Sequence, residues 1–292
     1  VVQGWSPSSR SGFNSQPLFM TTLKRIDDFL ESKQGKGFRR HLGASIIGRP
    51  CARQLWYTFR WARRSSFKGR ILRLFQRGHE EEIRLINFMR KSGIHVEDVD
   101  PDTGDQYRII DWNGHFGGSL DSILFDTPEF PMIDILAEYK THNDKSFKKV
   151  KKDGVKKSKY EHYIQSQIYM HYKELPAALY FAVNKNDDEI DIQLIEYDRH
   201  EALKHVERAG KIINAEAIPP RIPNASPGWY ICQWCDYKDV CHHHAKKDMN
   251  CRTCIHSAPV ENSEWFCNKF HCKLEFSDQL RGCLEHSEIV ED

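Results

Sequence analysis

A chain of 292 residues, 39% of them hydrophobic, is long enough for one substantial domain and a small second unit. No apolar run approaches the ~20 residues needed to span a bilayer, and no cleavable leader is evident, so a membrane partner is not expected. A net charge of +2 hides an uneven distribution, and nine cysteines without a secretory context point to metal or redox chemistry more than to a disulfide framework.

Residues 1–19 are polar, rich in Ser and Gly, and without periodicity, which predicts disorder. Met20 precedes a Thr-capped helical pattern over residues 21–32 and reads as a natural start, in which case the first nineteen residues are an added extension. Cys51 stands alone in Arg49-Pro50-Cys51-Ala52-Arg53. The aromatics of Leu55-Trp56-Tyr57-Thr58-Phe59-Arg60-Trp61 could stack on unpaired bases, but their helical spacing favours core around Cys51. Arg60, Arg63, Arg64, Lys68, Arg70, Arg73 and Arg77 follow, a basic tract suited to phosphate contacts. Residues 70–89 form an amphipathic pattern with Ile71, Phe75, Gly78, Glu82, Ile86 and Met89 on one stripe. Glu82 falls near its centre, and an inward carboxylate is costly unless paired or bound to metal, which separates it from Glu80 and Glu81. Gly78, one turn earlier, leaves room for another backbone or a ligand.

Gly118-Ser119-Leu120-Asp121 and Glu138-Tyr139-Lys140 read as neighbouring strands. Residues at i and i+2 share a strand face, so Glu138 and Lys140 project together and Asp121 can meet them. Two carboxylates can hold a hard divalent cation, and a lysine beside them can orient a water and screen developing charge, a set suited to phosphodiester hydrolysis. A lysine-rich tract that includes Lys148, Lys149 and Lys152 separates these residues from a helix over 159–173. That helix carries Tyr160, Ile164 and Ile168 on a core stripe, and Gln165 and Tyr169 one turn apart beside it. Residues 178–183 and 189–195 read as strands joined by Asn184-Lys185-Asn186-Asp187-Asp188, residues 199–215 as a long helix, and Pro219-Pro220 and Pro223-Asn224 as a linker.

The ordered set Gly78-x-x-x-Glu82, Gly118-x-x-Asp121, Glu138-x-Lys140 and Gln165-x-x-x-Tyr169 resembles the motif series of the RecB-like branch of the PD-(D/E)XK nuclease superfamily, phage-encoded members in particular. The likeness spans residues 43–242; many members carry His where this chain has Glu82. It implies an α/β fold with a central mixed sheet flanked by helices and a DNA exonuclease activity in phage recombination, repair or degradation. Glu82, Asp121 and Glu138 would hold Mg²⁺ or Mn²⁺, Lys140 would serve the attacking water, and Gln165 and Tyr169 would support them. Arg70, Arg73, Arg77, Lys148, Lys149 and Lys152 would contact linear DNA, single- or double-stranded. A structure-specific or nicking endonuclease is the alternative within this class, and a non-catalytic nucleic-acid-binding protein is the alternative outside it. The expected location is the cytoplasm of an infected bacterium.

Cys232-x-x-Cys235-x₅-Cys241 lacks a local fourth ligand, and Cys51 can supply one. Four thiolates suit tetrahedral zinc or a [4Fe–4S] cluster. One cysteine before the nuclease motifs and three after them resembles the iron–sulfur clasp of RecB-like nucleases, which favours iron–sulfur over zinc. The alternative is a buried Cys51 with an independent zinc site downstream. Cys251-x-x-Cys254, Cys267 and Cys283 read as a structural zinc module over residues 246–292, following a nuclease domain over 20–245; His271, Cys272 and His286 are competing ligands. His242, His243 and His244 read as solvated.

Overall fold

The computed structural model describes residues 21–35 and 38–291, so the expected tail at 1–19 lies outside the described residues. Helix α1 (Thr22–Lys33) starts where the Thr21 hydroxyl accepts from the Lys24 amide. A short strand β1 (Leu42–Gly43) leads to α2 (Ala52–Phe59), whose N-cap is Cys51, its Sγ accepting from the Gln54 amide. The aromatics of α2 are buried, as their spacing predicts.

Helix α3 (Gly69–Lys91) crosses one face of a five-stranded sheet made of β2 (His95–Glu97), β5 (Ser122–Phe125), β6 (Ile135–His142), β7 (Ala177–Asn184) and β8 (Ile190–Glu196), in the order β2-β5-β6-β7-β8. Only β6 and β7 run parallel; the sheet is mixed because the long crossover α4 (Asp144–Asp153), α5 (Val155–Ser158) and α6 (Tyr160–Lys173) joins those two strands. Strands β3 (Arg108–Asp111) and β4 (Phe116–Ser119) form a second sheet with β1 at its edge. Leu85, Ile86 and Met89 of α3 bury one face of the large sheet with Tyr139, Leu179 and Phe181. Helix α6 and α7 (Arg199–Ile213) bury the other with Ile164, Ile168 and Tyr180.

The expected stripe on α3 is buried only in part. Ile86 and Met89 face the sheet, but Phe75 is 47% exposed because the N-terminal half of the helix projects past the apolar face it covers. A Cβ at Gly78 would meet nothing within 4 Å, so no described segment takes up the room that the glycine leaves.

Beyond the linker, α8 (Tyr230–Gln233) and α9 (Lys238–His242) carry the first cysteine cluster. The last segment forms a three-stranded antiparallel sheet, β9 (Ser257–Pro259), β10 (Trp265–Cys267) and β11 (Cys272–Leu274), and helix α10 (Phe276–Arg281). It shares the main core: Trp265 and Ile289 belong to the same buried cluster as α2 and α6. Among the described residues no helix is long and apolar enough to cross a membrane.

Candidate active site

Asp121 sits where the chain leaves the β4 sheet and enters β5, a position that strand alternation alone does not reveal. Its Oδ2 accepts from the Tyr139 amide at 3.1 Å and lies 3.4 Å from Lys140 Nζ. Glu138 is 0% exposed and in direct ion contact with Lys140. The contact is made through Oε1, and Oε2 has no hydrogen-bond partner among the described residues. Glu82 approaches from α3: burial, then the charge of Asp121, raises its carboxyl to about 7, against the opposing pull of Lys140. Burial, then Asp121, raises Glu138 to about 8, while the carboxylates around Lys140 hold its ammonium charged in spite of burial. Three carboxyl groups thus crowd one ammonium, an excess of two negative charges when all are ionised. That excess suits a divalent cation.

Gln165 and Tyr169 are buried beside this cluster, one helical turn apart on α6. The Tyr169 hydroxyl explains Gly118: a Cβ there would lie 2.6 Å from it. The structure therefore brings together Glu82, Asp121, Glu138, Lys140, Gln165 and Tyr169.

The basic residues are distributed otherwise. At ~100° per residue, Arg70, Arg73 and Arg77 lie 120–180° around α3 from Glu82. Arg73 pairs with Asp27 of α1, and Arg77 donates to the Lys185 carbonyl. Lys148, Lys149 and Lys152 line the exposed side of α4, where Lys148 pairs with Asp144 at 2.9 Å.

The helix pattern already places His162 close to Gln165 and Tyr169; sequence reasoning missed the two buried residues that join it beside the lysine, Tyr180 and His142. Tyr180 neighbours Glu138 across the β6–β7 register, and its hydroxyl shares hydrogen bonds with His142 Nε2 (3.0 Å) and His162 Nδ1 (2.7 Å). His142 was detectable, since Glu138, Lys140 and His142 alternate on one strand face. Burial, then neighbouring lysines, lowers the two imidazoles to about 4 and about 3 respectively, so both are neutral at pH 7. Their contribution to stability is complete above the unfolded value near 6.5 and lost as pH falls toward those folded values. Tyr180→Phe leaves one buried and one half-buried ring nitrogen without their partner and should cost about 1–3 kcal/mol. Urea midpoints at pH 7 check this: the variant unfolds at lower urea than wild type.

Both cysteine sets converge. Cys51, Cys232, Cys235 and Cys241 line one small cavity with Arg53, Tyr57 and His242. Burial pushes the Cys235 thiol up to about 11, and Cys51 and Cys241 add to the rise. Cys251, Cys254, Cys267 and Cys283 line a second cavity together with His256 and His286. Burial raises Cys251 to about 11, followed by the neighbouring Cys283, Cys254 and Cys267. Crowded thiols of this kind ionise when a cation binds, which suits a structural metal. His271 and Cys272 do not line the second cavity, and His286 Nε2 is 3.1 Å from Thr253 Oγ1. Among the described residues no group of three or more His, Cys, Asp or Glu forms a ready cage, so ligation at any of these clusters requires side chains to close in.

No family model matches the chain, and comparison with curated proteins finds no relative. Among solved structures the fold is similar to SSO0001, at 16% identity over 76% of this chain and 98% of that one, with a TM-score of 0.45. It is also similar to LHK-Exo in complex with dAMP, at 17% identity over 65% and 90%, TM-score 0.42. A further similar structure is the alkaline exonuclease LHK-Exo from Laribacter hongkongensis, at 18% over 63% and 90%, TM-score 0.41. Likeness at this level assigns neither chemistry nor substrate.

Proposed function

We propose that the chain is a divalent-metal-dependent deoxyribonuclease that degrades linear DNA from an end, a RecB-like member of the PD-(D/E)XK superfamily acting in phage recombination, repair or DNA degradation. The observation that carries this reading is the buried Glu138 carboxylate, packed with Glu82, Asp121 and Lys140 at one point, with Oε1 on the Lys140 ammonium and Oε2 without a hydrogen-bond partner among the described residues. Glu82, Asp121 and Glu138 would hold Mg²⁺ or Mn²⁺. When bound there, the ion supplies Lewis-acid polarisation of the phosphoryl oxygen and acidifies a water. Lys140 orients that water and screens charge on the phosphoryl group. Gln165 and Tyr169 fix the floor of the site, and the Tyr180 triad holds the strand face behind it.

The four-cysteine clasp would hold a [4Fe–4S] cluster or zinc, and the C-terminal set would hold zinc. The protein would act in the cytoplasm of an infected bacterium. The test is a time course on one plasmid, supplied closed-circular and linearised, with Mn²⁺ or EDTA. Metal-dependent loss of the linear form alone is expected. Equal cutting of both forms would move the protein to the endonucleases, and inertness toward both would leave nucleic-acid binding as its activity.

A further inference from the structure

The stripe of α3 that carries Glu82 continues beyond the carboxylate cluster. Phe75 lies two turns before Glu82, ~10 Å along the axis and within ~20° of the same azimuth. Gly78 stands between them with open space above it. The exposed Phe75 ring does not stand alone: the Phe67 ring, 38% exposed, packs edge-on against it with centroids 5.0 Å apart. Phe67 is also held in place. Its amide donates to Gln34 Oε1 (2.8 Å), and its carbonyl accepts from Gln34 Nε2 (2.7 Å), which ties the loop to the end of α1. Next to it, the Lys68 side chain is 85% exposed with its Nζ 3.9 Å from Glu31 of α1, a loose pair that a phosphate can replace, and no acidic residue occurs from Arg60 to His79.

Two exposed rings held by a backbone clamp, in a cationic segment and in line with a catalytic carboxylate, need a partner that offers flat apolar faces and negative charge together. An unpaired polynucleotide does so; a duplex buries its base faces and presents phosphate. We infer that Phe67 and Phe75 form a stacking platform for unpaired DNA bases, which leads a single strand over Gly78 to Glu82, with Lys68 on its backbone. This rests on the nuclease reading and adds to it a substrate class, single-stranded ends, and the surface that receives them.

The test separates the two readings by measuring binding with hydrolysis switched off. Anisotropy of a fluorescein-labelled oligodeoxythymidylate is titrated in EDTA against the full chain, Phe67→Ala, Phe75→Ala and Phe75→Tyr. Each alanine should raise Kd about ten-fold and leave the salt dependence unchanged, while Phe75→Tyr keeps the affinity. Lys68→Ala should reduce the salt slope by about 1. An unchanged Kd in both alanine variants would overturn the platform. So would an equal loss on a blunt duplex, or rings that matter only for anionic vesicles or self-association. Ring-dependent binding by a protein inert with Mg²⁺ and Mn²⁺ would leave the platform standing and remove the nuclease; hydrolysis indifferent to both rings would do the reverse.

Discussion

Lys140→Ala and Glu138→Gln are each expected to reduce phosphodiester hydrolysis by about 10²–10³-fold or more, with opposite effects on the metal-free fold. Lys140 is the cation in ion contact with both Asp121 and buried Glu138, so its removal leaves those carboxyls facing each other without it. Glu138→Gln keeps the shape and removes a charge that burial already opposes. The sign follows from the raised carboxyls. Glu82, near 7, and Glu138, near 8, bind protons more tightly folded than unfolded, so their favourable contribution is full below about 4.5 and is lost as pH rises through 7 and 8. Without metal, wild type should therefore lose stability from pH 5 to pH 8.5, and Glu138→Gln should lose less. Urea midpoints at the two pH values, with and without Mg²⁺, check this. The ion should restore wild type at pH 8.5 and do little for the variant. A wild type whose midpoint ignores both pH and Mg²⁺ would remove the carboxylate cluster as a metal site.

The parts of this site that could be read from sequence are those set by local periodicity. Glu138 and Lys140 are two residues apart on one strand, and Gln165 and Tyr169 one turn apart on one helix, so each pair shares a face whatever the rest of the fold does. Glu82 stood out because a carboxylate interrupts an apolar stripe. Tyr180 did not, because its place beside Glu138 depends on the β6–β7 register, which a long helical crossover sets and no local pattern encodes. His142 was within reach of the same alternation that pairs Glu138 with Lys140. Periodicity misled where it was taken for burial: Phe75 has the right phase, but its end of α3 has no sheet beneath it. Arg70, Arg73 and Arg77 neighbour Glu82 along the chain but lie 120–180° from it around an ideal helix, so closeness in sequence does not by itself bring them to the carboxylates.

Loss of the C-terminal cysteine site should be felt far from the cysteines, because that segment is bolted to α2. The Arg252 guanidinium is buried among Trp61, at 3.6 Å to the ring centroid, and Trp265, at 4.5 Å. It also donates to the Arg40 carbonyl at 2.9 Å and to Gln279 at 3.0 Å. Burial lowers its pKa, so its place depends on those rings and carbonyls staying assembled. Arg60, at the end of α2, reaches back to the Ser257 carbonyl at 3.0 Å. Arg53, in the first turn of α2, pairs with Glu291 at 2.7 Å. The same helix is capped by Cys51, so a loosened C-terminal segment also loosens the upstream clasp. Cys254→Ser, at a buried thiol on the second cavity, should cost about 3–5 kcal/mol, a fall of ~10 °C in melting temperature for a chain of this size. One equivalent of bound zinc should go with it. Cys272→Ser is the matched control: Cys272 and Cys283 are both exposed, but only Cys283 lines the cavity. Cys283→Ser should therefore follow Cys254→Ser, and Cys272→Ser should behave as wild type in melting and in metal content. If Cys272→Ser is the variant that loses zinc, the ligand set belongs to the β10–β11 turn; if none of the three does, the segment is held by Arg252 and its rings alone.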